Sequence, residues 1–174
     1  GTVEHCDYLS KPSYKKRARV RTDHVTTLAS FLDDVWKELK NMDEAAQFRQ
    51  PVNTKLVVDY LDKVDIPMDL SVIKASIDDH KYQSREGFLT DIAQIVKNSQ
   101  IYNGDDDKIT REAKMLMEKV VNKFSENEDT LQELEKKINP LLDENEQVKF
   151  SFILESVLTK IMQMQVSLKI LIIF

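Results

Sequence analysis

Glycine, proline and cysteine are scarce in this sequence of 174 residues, which contains 3 glycines, 4 prolines and a single cysteine. So few glycines argue against a phosphate-binding loop, which needs several of them close together. The lone Cys6 cannot form an intrachain disulfide, which fits a reducing compartment. The longest apolar run, at 168–174, is interrupted by Lys169 and is far shorter than the roughly 20 residues of a membrane span. We therefore expect a soluble, intracellular and mainly helical protein.

Patterns that carry catalysis or bind metals are also missing from the sequence. The histidines His5, His24 and His80 are scattered, and the adjacent Cys6 has no further ligands at the spacing of a zinc finger. The net charge of −5 argues against nucleic-acid binding by the chain as a whole. We expect neither an enzyme nor a protein that needs a metal or another cofactor.

Several segments have the spacing of apolar residues that is typical of amphipathic helices. The first carries an apolar stripe over residues 28–39, and Thr22 or Asp23 is its predicted N-cap. A short second helix is predicted to begin at Asp69, with one apolar face made by Leu70, Ile73 and Ile77.

Two longer helices follow in the second half of the chain. One begins after Ser84, a predicted N-cap, and stops at Asn103-Gly104, because both residues tolerate left-handed backbone. The other is predicted as one continuous element from about residue 107 to 138, ended by Pro140. It would be roughly 45 Å long, so we expect its C-terminal part to project from the rest of the domain.

The two ends of the chain differ from this helical part. Residues 1–21 have no apolar periodicity and form a predicted disordered arm, whose basic residues are Lys15, Lys16, Arg17, Arg19 and Arg21. Such an arm is usually solvated; the alternative is a nuclear-import segment or a weak DNA contact. After a linker at 139–148, residues 149–165 repeat the apolar stripe of the first helix. Residues 166–174 are an apolar tail without an assignment.

A long connection at residues 42–68 separates the first two helices. Connections of more than about 15 residues are uncommon in compact domains and are often functional. This one is rich in apolar residues, so we expect it to pack against the helices. Acidic residues outnumber basic ones over 59–79, which suits either solubility or the attraction of a basic ligand.

This connection and the helix that ends at Asn103 carry ordered motifs. They are Phe48-x-x-Pro51-Val52, Asp59-Tyr60, Ile66-Pro67-Met68-Asp69-Leu70, Tyr82-x-Ser84-x-Glu86-x-Phe88 and Asn98-x-x-x-Tyr102-Asn103. In this order and spacing the sequence resembles a bromodomain, with residues 22–138 as the domain. The resemblance implies an all-α, left-handed up-and-down four-helix bundle with a long loop between the first two helices. Residues 149–165 then look like the first helix of a second, truncated bromodomain.

The resemblance also implies an acetyl-lysine site at one end of the bundle. Asn103 would donate a hydrogen bond to the acetyl oxygen, and Tyr60 would reach the same oxygen through a water. The implied apolar contacts are Val52, Val57 and Tyr102 as walls, Ile109 at the entrance and Phe48 at the floor.

The function that the resemblance implies is reading of acetylated histone tails, of histone H4 or H3, in the nucleus. The other expected partners are further subunits of a transcription complex, and no membrane is expected. One departure from the family pattern concerns Ala46-Gln47, which stand where bromodomains usually have Trp-Pro before the phenylalanine. The alternative is therefore a scaffold module whose acetyl-lysine pocket binds weakly or not at all.

Overall fold

The computed structural model describes residues 13–140, with side chains from residue 23 onward, and the regular elements of this part of the chain are all helices. Its elements are α1 (Ser13–Asn41), a 3₁₀ helix (Asp43–Phe48), α2 (Tyr60–Lys63), α3 (Leu70–Asp78), α4 (Arg85–Asn103), α5 (Lys108–Glu126) and α6 (Glu128–Ile138). None of these helices is long and apolar enough to cross a membrane. The predictions for residues 1–12 and for 141–174, including the start of a second domain, lie outside the described residues.

Four of these helices, α1, α3, α4 and α5, form a bundle around one apolar core. Helix α4 packs along α5, and α1 packs against α3, α5 and α6. The predicted all-α architecture, with a long loop between the first two bundle helices, is confirmed. The core is lined by the predicted stripes, and its largest fully buried side chains include Leu28, Leu32, Leu39, Ile73, Ile92, Phe88, Leu116 and Phe124.

The first helix begins earlier than the apolar stripe predicts. It starts at Ser13 rather than after a cap at Thr22 or Asp23, so the prediction of a disordered arm up to residue 21 is wrong for the backbone of 13–21. The segment is rich in lysine and arginine, which have high helix propensity and need no buried face to continue a helix. Absence of an apolar stripe therefore did not mean absence of helix.

The N-terminus of α4 is capped from a distant element. Ser84 occupies the predicted N-cap position, but its side chain makes no capping hydrogen bond. Instead the backbone N–H of Arg85 donates to Glu135 Oε1 over 2.7 Å. The Arg85 guanidinium also donates two hydrogen bonds to the carboxylate of Glu128, over 2.6 and 2.8 Å. Both glutamates lie on α6, so α6 is attached to the start of α4 by charged, largely buried contacts.

The last predicted helix is two helices, because the chain bends at Asn127. That residue ends α5 with φ −118° and ψ 20°, and its side-chain amide donates to the carbonyl of Lys123 over 2.9 Å. Asparagine has low helix propensity because its side chain competes for backbone hydrogen bonds. Helix α6 packs against α1, and its Leu131 and Ile138 are buried. The predicted projection is therefore wrong.

The long loop packs only in part. Phe48, Tyr60 and Val64 are buried, whereas Leu56 and Val58 are 81% and 78% exposed. The expectation that the loop packs against the helices is therefore met by these three buried residues and does not hold for the exposed tip. The loop also contains the 3₁₀ helix and α2, so it is more regular than an open connection.

Candidate functional site

A cavity of about 200 Å³ opens at one end of the bundle, between the long loop and the C-terminal end of α4. The loop contributes residues from the end of the 3₁₀ helix, from the turn at 52–57 and from α2. Helix α4 contributes one face, and α5 contributes Ile109 from its first turn. The wall is mostly apolar, with a few polar side chains, which is the composition of a small-ligand pocket.

All seven residues that the resemblance assigned to a site line this one cavity: Phe48, Val52, Val57, Tyr60, Tyr102, Asn103 and Ile109. Their roles toward a ligand remain a prediction. Phe48 and Tyr60 are buried, whereas Val52 is 37% exposed at the mouth. The chain thus brings together residues separated by as many as 61 positions, from Phe48 to Ile109, because the loop lies against the end of α4.

The Asn103 side chain is held by hydrogen bonds that link α4 to α5. Its Nδ2 donates to Ser99 Oγ over 3.1 Å, one turn earlier on α4. Ser99 Oγ lies 3.0 Å from Thr110 Oγ1 on α5, and Thr110 Oγ1 donates to the carbonyl of Gly104 over 2.7 Å. Gly104 ends α4 with a φ of 95°, a conformation that glycine adopts without strain.

Two tyrosines form another part of the cavity wall, which we call the tyrosine wall. The rings of Tyr60 and Tyr102 lie 5.2 Å apart between centroids. The Tyr102 hydroxyl donates to Asp59 Oδ1 over 2.7 Å, and the Lys63 ammonium pairs with Asp59 Oδ2 over 2.9 Å. The same ammonium lies 4.9 Å from the centre of the Tyr102 ring. These contacts attach the loop to the end of α4 and orient the tyrosine wall.

Burial and nearby charges shift the pKa values of groups in the tyrosine wall. The pKa of Asp59 is lowered, mainly by its contact with Lys63 and then by the hydrogen bond from Tyr102. The pKa of Tyr60 is raised by burial and by the nearby carboxylate of Asp69. The Tyr60 hydroxyl therefore stays protonated at neutral pH and can donate a hydrogen bond into the cavity.

The floor of the cavity is fixed by polar anchors between the loop and α4. Asn98 Nδ2 donates to the carbonyl of Ile66 over 2.7 Å, and Gln94 Nε2 donates to Asn98 Oδ1 over 2.7 Å. Asp69 caps α3 by accepting a hydrogen bond from the N–H of Ser71 over 2.7 Å. Loop geometry is therefore set by buried polar contacts as well as by packing.

The sequence analysis missed seven further residues of the cavity wall: Gln47, Gln50, Met68, Asp69, Ile95, Asn98 and Ser99. Helical spacing could have revealed part of this set, since Ser99 and Ile95 precede Asn103 by four and eight positions and share its face. The two glutamines could have been found only by their proximity to Phe48 in the chain. Their place at the mouth depends on the 3₁₀ helix.

Several acidic residues of the segment 59–79 are paired within it. Asp59 pairs with Lys63, and Asp78 pairs with Lys74 on the same helix. Asp69 is buried at its cap. The local negative charge that the sequence suggests is therefore partly neutralised, and the attraction of a basic ligand stays a prediction.

The bromodomain family model matches residues 19–115, more than half of the chain. This chain belongs to the bromodomain family. The left-handed up-and-down helical bundle that the sequence analysis predicted is the fold of that family, and the helices described above agree with it.

Curated relatives place this bromodomain near one group of proteins. It is 42% identical to transcription initiation factor TFIID subunit 1 of Drosophila melanogaster over 160 residues. These residues are 92% of this chain and 8% of that protein. It is 38% identical over 154 residues to the subunit of the same name in Caenorhabditis elegans, which is 88% of this chain and 9% of that protein. A human ATPase family AAA domain-containing protein 2B is 37% identical over 98 residues, 55% of this chain and 7% of that protein. The chain thus spans less than a tenth of the length of these relatives.

Proposed function

We propose that this bromodomain reads acetyl-lysine in histone tails, of histone H4 or H3, and thereby attaches a TFIID-like transcription complex to chromatin in the nucleus. The observation that carries the proposal is the cavity, which Asn103 lines together with the tyrosine wall of Tyr60 and Tyr102. The similarity to TFIID subunits supports further subunits of that complex as partners. The basic residues of 15–21 are proposed to make a weak DNA contact or to act in nuclear import.

The chemistry of the cavity suits a neutral amide on an apolar stem. An amide nitrogen carries two hydrogens, and Asn103 uses one toward Ser99, so the other is available for an acetyl oxygen. Tyr60 would reach the same oxygen through a bridging water. Val52, Val57 and Ile109 would contact the methylenes and the methyl group, and Phe48 would close the floor.

An unmodified lysine would be rejected because its charge would enter an apolar cavity without a carboxylate to meet it. Burial of an unpaired charge is far more costly than burial of a hydrogen-bonded amide. Asp69 is the carboxylate in the cavity wall, and it is already engaged as the cap of α3. The preference for acetyl-lysine over lysine would therefore come from the cost of desolvating the lysine ammonium rather than from repulsion by a like charge.

The expected affinity is modest. Each buried methylene contributes about 0.8 kcal/mol and one hydrogen bond about 1 kcal/mol, against several kcal/mol of lost translational and rotational freedom. We expect micromolar or weaker binding to a single mark, and useful avidity when a second module is linked to this one.

Calorimetric titration with a diacetylated histone H4 peptide and its unmodified form tests the proposal. We expect binding of the acetylated peptide alone, and loss of that binding in Asn103→Ala. The matched control is Asn122→Ala, because Asn122 is exposed on α5 and does not line the cavity. Equal binding of both peptides by the native chain would refute the reader function.

A scaffold role is the second candidate, and one observation favours it. Ala46 and Gln47 are exposed where the family usually presents a tryptophan and a proline, so the cavity lacks that aromatic shelf. In this case no acetylated peptide would bind, while the domain would still associate with other subunits of a transcription complex. Pull-down with TFIID subunits, beside the titration above, separates the two functions.

A further inference from the structure

We propose that Ser99 and Thr110 are positioning residues that fix the orientation of the Asn103 carboxamide through a one-way chain of hydrogen bonds. The inference rests on the proposed function, because it concerns the amide that would meet the acetyl group. It adds Thr110, which does not line the cavity and would act on a ligand only through other residues, and it gives the cavity residue Ser99 a role in orienting Asn103.

The direction of the chain is set at its far end. The carbonyl of Gly104 can only accept, so the 2.7 Å contact uses the single hydroxyl hydrogen of Thr110. Thr110 Oγ1 then has only lone pairs left. Ser99 must therefore be the donor across the 3.0 Å contact with Thr110.

The same reasoning reaches the carboxamide. With its hydrogen committed to Thr110, Ser99 Oγ can only accept from Asn103, which the 3.1 Å contact from Nδ2 satisfies. The opposite orientation would place two acceptors, Oδ1 and Oγ, against each other. The chain thus fixes where the remaining Nδ2 hydrogen points, and an acetyl oxygen needs that donor.

Burial makes this selection strong. Ser99 is 5% exposed and Thr110 is 0% exposed, so bulk water cannot replace a missing partner, and an unmatched polar atom there is costly. The hydroxyls come from α4 and α5, which pack along each other. Orientation of the amide is therefore coupled to the packing of these two helices.

The first test is Thr110→Val, which keeps the shape of the side chain and removes the hydroxyl. Ser99 could then donate to Asn103 Oδ1, and the carboxamide would spend part of its time reversed. We expect affinity for an acetyl-lysine peptide to fall about fivefold, the effect of one hydrogen bond, and to be restored in Thr110→Ser. The matched control is Thr90→Val, because Thr90 is exposed and its hydroxyl bonds only within α4. Unchanged affinity in Thr110→Val would overturn the proposal.

A double variant separates orientation from packing. Adding Ser99→Ala to Thr110→Val removes the donor that would hold the carboxamide in the reversed orientation. We expect the double variant to bind at least as well as Thr110→Val alone, since the two changes are coupled through one amide. A further loss, equal to that of Ser99→Ala in the native background, would show that the hydroxyls act by packing and would refute the chain.

A measurement without ligand keeps the inference independent of the proposed function. In ¹⁵N-labelled native protein we expect two sharp, well-separated resonances for the Asn103 Nδ2 hydrogens, which shift or broaden in Thr110→Val. If the native protein binds no acetylated peptide, the reader function is refuted. The resonances still show whether the hydrogen bonds of Ser99 and Thr110 fix the Asn103 carboxamide. Identical resonances in both proteins would overturn the inference. If Thr110→Val does not fold, as judged by circular dichroism, Ser99→Ala provides the same comparison from the other side of the chain.

Discussion

Removal of the Glu135 carboxylate is expected to destabilise the domain strongly, although Glu135 lies far from the cavity. This side chain accepts the first N–H of α4 over 2.7 Å and lies 3.3 Å from Arg85 Nε. Arg85 and Glu135 are both buried. In Glu135→Ala the N–H of Arg85 loses its acceptor in a site that water does not easily reach.

The magnitude follows from what is left behind. A buried, unsatisfied N–H costs about 1–3 kcal/mol. Loss of one partner from a buried ion pair costs about 3–5 kcal/mol when the other charge is abandoned, but Arg85 keeps its two hydrogen bonds to Glu128. We therefore expect a loss of about 2–3 kcal/mol in the free energy of unfolding, and a midpoint about 10 °C lower.

Urea and thermal unfolding followed by circular dichroism measure this loss. The control is Glu133→Ala on the same helix, where the carboxylate is exposed and pairs with Lys137. Exposed pairs of this kind contribute little to the free energy of unfolding. The control should therefore unfold at the same urea concentration and temperature as the native protein. A Glu135→Ala variant as stable as the control would refute the role given to this cap and ion pair.

Three further predictions concern pH and packing. Burial raises the pKa of Glu135 above its usual 4.5, so ionisation of this side chain opposes folding. The stability of Glu135→Gln relative to the native protein should therefore increase as pH rises through the raised pKa. A difference in urea titrations that does not change with pH would contradict this. The pKa of Asp59 is lowered from its usual 3.8 by Lys63 and Tyr102. If Asp59→Asn is less stable than the native protein at neutral pH, that difference should vanish as pH falls through the lowered pKa. A difference that persists in acid would argue against the ionic contact. Phe88 is fully buried against Tyr82 and Phe124, so Phe88→Ala should lose about 3–5 kcal/mol in denaturant titrations, while the control Val58→Ala at the exposed loop tip should lose nothing measurable.

Local patterns were sufficient where a residue's environment depends on its own helix. The stripe at 28–39, the start of α3 at Asp69 and the end of α4 at Asn103 were all predicted, and the structure agrees. Each is governed by the 3.6-residue period or by a cap made within a few residues. The seven cavity residues came from the resemblance to the family, which rests on several ordered motifs together and on no single one of them.

Contacts between residues distant in sequence were decided only in the folded chain. The sequence alone determined an all-α domain and its helical stripes, because these depend on periodicity, and its ordered motifs led to seven of the residues that line the cavity. The tertiary structure decided that Glu135 rather than Ser84 caps α4, fifty positions away, and that a separate helix, α6, begins after Asn127 and packs against α1. It also decided that a series of hydrogen bonds runs from the Asn103 side chain through Ser99 and Thr110 to the carbonyl of Gly104. Hydrogen bonds between helices depend on how the helices pack, and no local pattern in the sequence specifies that packing.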